Sequence, residues 1–240
     1  MIEDLEAWAR LPELDPQAGH LADQLNCLRL LRKRLGPEVP IIQTIFNPLS
    51  QAKYLAGETR LFEHLHLDPQ LVERGLKAIL ESTRAFIQAL HAIQIDGIFF
   101  AVQHASFRYF DPEGYERFGE AFDIPILEAA EGWWLNVLHL HGQSIMFDVA
   151  TRYPVHVVNW HDLETVPSLS DGATQFQGAV CGGTHRDTIT FGSPDDIRAE
   201  CEAALTTTGS KGFILSTGCV VPIIAPEGNI RVVRDAADFA

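Results

Sequence analysis

Short apolar runs bounded by turn residues alternate with longer segments of helical period, and this alternation constrains the fold more than any single motif. The runs at 39–46 (VPIIQTIF), 96–102 (DGIFFAV), 135–142 (LNVLHLHG), 155–160 (VHVVNW), 175–183 (QFQGAVCGG) and 212–219 (GFILSTGC) read as strands. DGIFFAV is continuously apolar, as a strand covered on both faces should be. Between them, 19–36 carries Leu21, Leu25, Leu28, Leu31 and Leu35 at helical spacing and is stopped by Gly36 and Pro37. Residues 68–93 form a long amphipathic segment that Asp68 can cap, with Pro69 in its first turn. Residues 111–133 are helical with a proline break, and 193–209 form a capped helix ending on Gly209, before a proline-containing loop and a short helical tail.

Six strands separated mostly by helices predict a parallel α/β fold, either a TIM-barrel-like βα barrel or an open doubly wound sheet. No GxGxxG or P-loop follows the first strand, which weakens the nucleotide-binding open sheet. His104, His141, His161 and Cys219 fall at or just past strand C-termini, where a βα barrel gathers its active site. The barrel is the better reading.

At 240 residues the chain fits one large domain or two small ones. Its net charge of −14 repels phosphate backbones and anionic headgroups, so neither nucleic acid nor a membrane surface is expected as a partner. The apolar runs are too short to cross a bilayer, and the acidic N-terminus lacks the order of a signal peptide, so a cytoplasmic location is expected. The cysteines Cys27, Cys181, Cys201 and Cys219 lack CxxC spacing, which argues against a disulfide framework.

Residues two apart on a strand share a face, so His139 and His141 can point into one cavity. Cys219 can reach them only if the fold brings distant strand ends together. Imidazole and thiolate both suit zinc, and three such ligands with one open position describe a catalytic site. The alternative is that both histidines are rim residues and Cys219 a small buried one. Gln103 and His104 end a strand and can hydrogen-bond a small-molecule substrate, or else are simply solvated. His161 beside Asp162 is a weaker candidate, since adjacent side chains rarely face one another. His64 and His66 read as a solvated surface, and Trp133 and Trp134 as core and strand-edge residues.

GFILSTGCVVPIIAPEGNI resembles the last strand and loop of the uroporphyrinogen decarboxylase (URO-D) superfamily. IIQTIFNPLSQAKYLAGE is similar to its strand, proline turn and Tyr-x-x-Gly helix, DGIFFAVQHAS to a strand ending in a polar segment, and LHLHG to its His-x-Cys-Gly or His-x-x-Gly segment. The resemblance implies a (βα)8 barrel of URO-D type in which the first two βα units have no counterpart, so that 1–240 is a single, N-terminally truncated URO-D domain of about six strands. The implied function is that of the zinc-dependent cobamide methyltransferases, which pass a methyl group from a corrinoid, carried by a partner protein, to a thiol. Their His-x-Cys and distant Cys ligands fall here on His139, His141 and Cys219, with imidazole in place of one thiolate. Tyr54, on the Tyr-x-x-Gly, would face the pocket with Gln103 and His104. The alternatives are a cofactor-free decarboxylase relative in porphyrin biosynthesis and a non-catalytic barrel fragment. An incomplete barrel would also leave open sheet edges that favour self-association.

Overall fold

The computed structural model describes residues 1–209 and 211–237. The chain forms two compact units, Met1–His104 with Phe110–Asn136, and Ala105–Tyr109 with Val137–Ala240.

In the first unit the helices α1 (Glu6–Ala9) and α2 (Gly19–Leu35) precede strand β1 (Ile42–Phe46). Then come α3 (Pro48–Ala56), α4 (Glu58–Leu67), α5 (Pro69–His91), β2 (Gly97–Val102), α6 (Pro112–Tyr115) and α7 (Ala121–Ala129). The expected start and stop signals operate. Gly36 ends α2 at φ +74°, and the Asp68 carboxylate accepts the Leu71 N–H at 3.1 Å to cap α5. Asn47 caps α3 by accepting the Ser50 N–H at 3.0 Å, with Pro48 in the first turn.

Helix α5 buries Val72, Leu76, Ile79, Leu80, Ile87 and Leu90, the three- and four-residue spacing of one helical face. Trp8 of α1 is fully buried against it. A Cβ at Gly75 would come within 2.5 Å of the Trp8 ring, so the missing side chain is what lets the indole reach the helix. Trp8 Nε1–H donates to His64 Nδ1 at 2.9 Å, and His64 is therefore a buried acceptor rather than the surface residue expected. Of the leucines in α2, Leu25 and Leu28 are buried while Leu31 and Leu35 are exposed.

Strands β1 and β2 pair in parallel from Ile42↔Gly97 to Phe46↔Ala101. Strand β2 is buried at all but one residue, as its apolar run predicts, whereas β1 is largely half-exposed. The 111–133 segment differs in detail from the expected proline break. Its irregularity is a π turn over Glu116–Glu120, and α7 runs on through Pro125.

The second unit holds strands β3 (Val137–Leu140), β4 (Val157–Trp160), β5 (Ala179–Thr184) and β6 (Phe213–Thr217). Consecutive strands pair in parallel, with Leu140 opposite Trp160, Asn159 opposite Cys181 and Thr184 opposite Thr217. Its helices are α8 (Val149–Arg152), α9 (Leu169–Gln175), α10 (Arg186–Phe191), α11 (Pro194–Thr208) and α12 (Glu227–Ala237). Helix α11 opens on a capping box between Ser193 and Asp196 and closes on Gly209 at φ +68°. Strands β3 and β4 are buried throughout, while β6 leaves Ile214 40% exposed. Among the described residues no helix is long and apolar enough to cross a membrane.

Candidate metal centre

The C-terminal ends of β3, β4 and β6 assemble one cluster in the second unit. His139 lies within β3, His141 and His161 one residue past the ends of β3 and β4, and Cys219 two residues past β6. Because Leu140 pairs with Trp160, the next residues, His141 and His161, leave neighbouring strands side by side. One donor atom from each of the four residues falls within 4.8 Å of every other.

The separations fit one small ion. His141 Nδ1 lies 3.6 Å from Cys219 Sγ and 3.3 Å from His161 Nε2, and His139 Nε2 lies 3.7 Å from Sγ. Tetrahedral zinc at ordinary bond lengths would hold nitrogens about 3.3 Å apart and nitrogen about 3.6 Å from sulfur. The rings of His139 and His141 lean together, their centroids 5.7 Å apart, closer than one two-residue strand step of about 6.5 Å.

Surrounding groups fix the imidazoles. Asn159 Nδ2 donates to the carbonyls of Cys181 and Thr217 at 2.8 and 3.1 Å, which leaves its Oδ1 facing His139 Nδ1 at 2.6 Å. That contact requires the proton on Nδ1 and turns the Nε2 lone pair toward Cys219. Burial drives the His139 pKa down to about 3, against the Asn159 hydrogen bond, so the ring is a neutral donor. His161 is also pulled down by burial and partly restored by Glu164, whose Oε2 sits obliquely 3.3 Å from His161 Nδ1. Arg186 holds that carboxylate through Nη2 at 3.0 Å. Burial raises the Cys219 thiol above its ordinary value, so it would need a cation beside it to ionise near neutrality.

The expected trio of His139, His141 and Cys219 is thus brought together. His161 was not expected as a fourth donor, nor Asn159 beside His139 and Glu164 beside His161. The signal for His161 was its place just past a strand, equivalent to that of His141. Asp162, weighed as its orienting partner, turns away: its Oδ2 accepts the Gly183 N–H at 3.0 Å, and burial pushes its pKa up to about 6.

The remaining candidates lie in the first unit. Tyr54 is 59% exposed, and its hydroxyl accepts Gln103 Nε2–H at 3.2 Å, so the two form one polar group after β2. His104 is buried, with its ring packed 5.8 Å from that of Phe62, and is not a solvated rim residue. Trp133 is buried and stacks on His91 at 4.2 Å, while Trp134 is largely exposed.

A sequence model of the family described as uroporphyrinogen decarboxylase (URO-D) matches residues 1–239. The methylcobamide:CoM methyltransferase MtbA of Methanosarcina mazei is 21% identical over 98% of this chain and 69% of its own length. MtaA of Methanosarcina barkeri, of the same description, is 24% identical over 92% of this chain and 65% of its own length. A solved methyltransferase from Methanosarcina mazei superposes with a TM-score of 0.81 at 22% identity, covering 93% of this chain and 66% of that one. A B12-independent methionine synthase from Shewanella superposes at 0.63 with 13% identity, over 90% of this chain and 65% of that one. These likenesses bear out the TIM-barrel-like α/β fold of URO-D type. The chain spans about two thirds of the length of these relatives.

Proposed function

Because the chain belongs to the uroporphyrinogen decarboxylase (URO-D) family, we propose that it acts in the methyltransferase branch, passing a methyl group from a corrinoid to a thiol. The observation that carries this reading is the convergence of His139, His141, His161 and Cys219 donor atoms within 4.8 Å. A cofactor-free decarboxylase has no use for a thiol and three imidazoles at ion-binding distance.

His139, His141 and Cys219 would hold the metal and leave a fourth position for the acceptor thiol, with His161 beside it, 3.3 Å from His141. Asn159 keeps the His139 Nε2 lone pair aimed inward, and Glu164, held by Arg186, places its negative charge beside His161. Zinc held by these residues would supply a Lewis acid that lowers the pKa of an acceptor thiol; the S–C bond the thiolate forms replaces the methyl–cobalt bond, whose electron pair leaves with the corrinoid. In the first unit, Tyr54, Gln103 and His104 are the residues proposed to contact a small-molecule substrate, on the strength of the hydrogen bond between Gln103 and Tyr54. The corrinoid comes with a partner protein rather than as a tightly held cofactor of this chain.

Metal analysis tests the reading. Purified protein should carry about one zinc per chain, with the metal lost in Cys219→Ser and His141→Ala and methyl transfer from methylcobalamin to 2-mercaptoethanesulfonate lost with it. Protein that takes up neither zinc nor cobalt(II) after reduction and metal incubation would overturn it.

A further inference from the structure

One buried carboxyl of the second unit, that of Asp162, stands outside the ligand set. The residue is 7% exposed, and its Oδ1 has no hydrogen-bond partner among the described residues, while Oδ2 accepts the Gly183 N–H at 3.0 Å. A buried oxygen without a donor costs stability, so its position calls for a reason.

Two glycines make room for it. A Cβ at Gly182, inside β5, would stand 2.4 Å from Asp162 Oδ1 and 2.8 Å from its Cγ. A Cβ at Gly218, in the turn after β6, would stand 2.9 Å from the same Oδ1, 2.6 Å from the Trp160 carbonyl oxygen and 2.9 Å from His161 Cα. Neither glycine has a positive φ, so close approach and not backbone conformation requires it. The carboxyl is thus seated between β5 and the turn after β6.

The sequence neighbours of these groups give the contact its meaning. Asp162 directly follows His161, and Gly218 directly precedes Cys219. Strands β4 and β6 each pair with β5, which lies between them. Asp162 therefore reaches past β5 to the turn that carries the thiol, as Asn159 does through the Cys181 and Thr217 carbonyls. A side chain at Gly218 would push that turn off β4 by about half an ångström or more before contacts became ordinary. Metal–ligand distances tolerate only about 0.2 Å.

We infer that Asp162, seated between Gly182 and Gly218, is a positioning residue for the metal centre: its shape sets the distance between the end of β4, which carries His161, and the turn that carries Cys219. That the centre serves methyl transfer rests on the reading above; the clamp rests on these contacts alone.

Gly182→Ala tests the clamp, because the atoms its methyl group would meet first all belong to Asp162. Two readouts on the full chain separate positioning from folding. Cobalt(II) affinity, followed by the thiolate charge-transfer absorption, should fall at least about tenfold. In metal-free protein, iodoacetamide should alkylate Cys219 at least about threefold faster, while Cys27, exposed on α2 in the other unit, keeps its wild-type rate. Asp162→Ala should show both effects, and adding Gly182→Ala to it should do no further harm, since the two substitutions act through one contact. Asp162→Asn keeps the shape and should stay within about threefold of wild type in both readouts. Wild-type behaviour of Gly182→Ala, additive losses in the double variant, or equal behaviour of Asp162→Ala and Asp162→Asn each overturns the inference. Should Gly182→Ala not fold, the alanine–asparagine contrast at Asp162 decides it. If wild type takes up no metal, the methyl-transfer reading fails and the alkylation rates still decide the clamp.

Discussion

Asn159 shows how one side chain can set the state of a candidate metal ligand. Its amide is committed to two main-chain carbonyls, so only its oxygen is left for His139. Replacing it with alanine would free the His139 ring to rotate and leave the carbonyls of Cys181 and Thr217 short of a donor. Asn159→Ala is expected to lower zinc affinity about 10- to 100-fold, measured by competition with a chromophoric chelator. It should also lower stability by about 1–3 kcal/mol in urea melts. An unchanged affinity would mean that Asn159 does not orient the ligand. At this scale His139, His141 and Cys219 were legible in the sequence, because strand alternation puts the two histidines on one face. His161 and Asn159 were not, because their roles depend on the β3–β4 register, which no local pattern reports. His64 was misread for a similar reason: its partner Trp8 lies 56 residues away.

Between elements, Asp96 is a polar joint of the first unit. Its carboxylate stands just before β2 and accepts the Ile41 N–H at 2.7 Å, the Trp134 Nε1–H at 3.0 Å and the Arg32 guanidinium from α2. Partial burial pulls its pKa up, but these donors outweigh that and hold it below the ordinary value of 3.8. A depressed folded pKa adds stability that is present above the unfolded value and is lost as pH falls through the folded one. Asp96→Asn should therefore cost about 1–2 kcal/mol at pH 6–7, and the gap to wild type should close below about pH 4. A gap that persists at pH 2 would mean that packing, not charge, makes the joint. Element boundaries were largely readable, since Asp68, Ser193, Gly36 and Gly209 each act where local chemistry places them. The faces were less so. Five leucines in α2 fit a helical period, but only the tertiary contacts decided that Leu25 and Leu28 are the buried ones.

On the scale of the whole chain, the strands differ in how fully they are covered. Strands β3 and β4 are buried at every residue, whereas β1 and β6 are half-exposed and, among the described residues, each pairs within its unit with one neighbour only. A parallel strand with an unpaired edge offers backbone N–H and C=O groups to another chain. The 240-residue chain is expected to self-associate with rising concentration in sedimentation velocity, and a single monomeric species across the range would refute this. The sequence by itself determined the α/β alternation and the placing of chemistry-bearing residues at strand ends. It did so because burial and hydrogen bonding impose local periods of 2 and 3.6 residues that any reader of the chain can count. Only the tertiary structure decided that Cys219 stands 3.6–3.7 Å from histidines some 80 positions earlier, and that His161 joins them. Those contacts depend on strand register and on how distant segments pack, which local period does not encode.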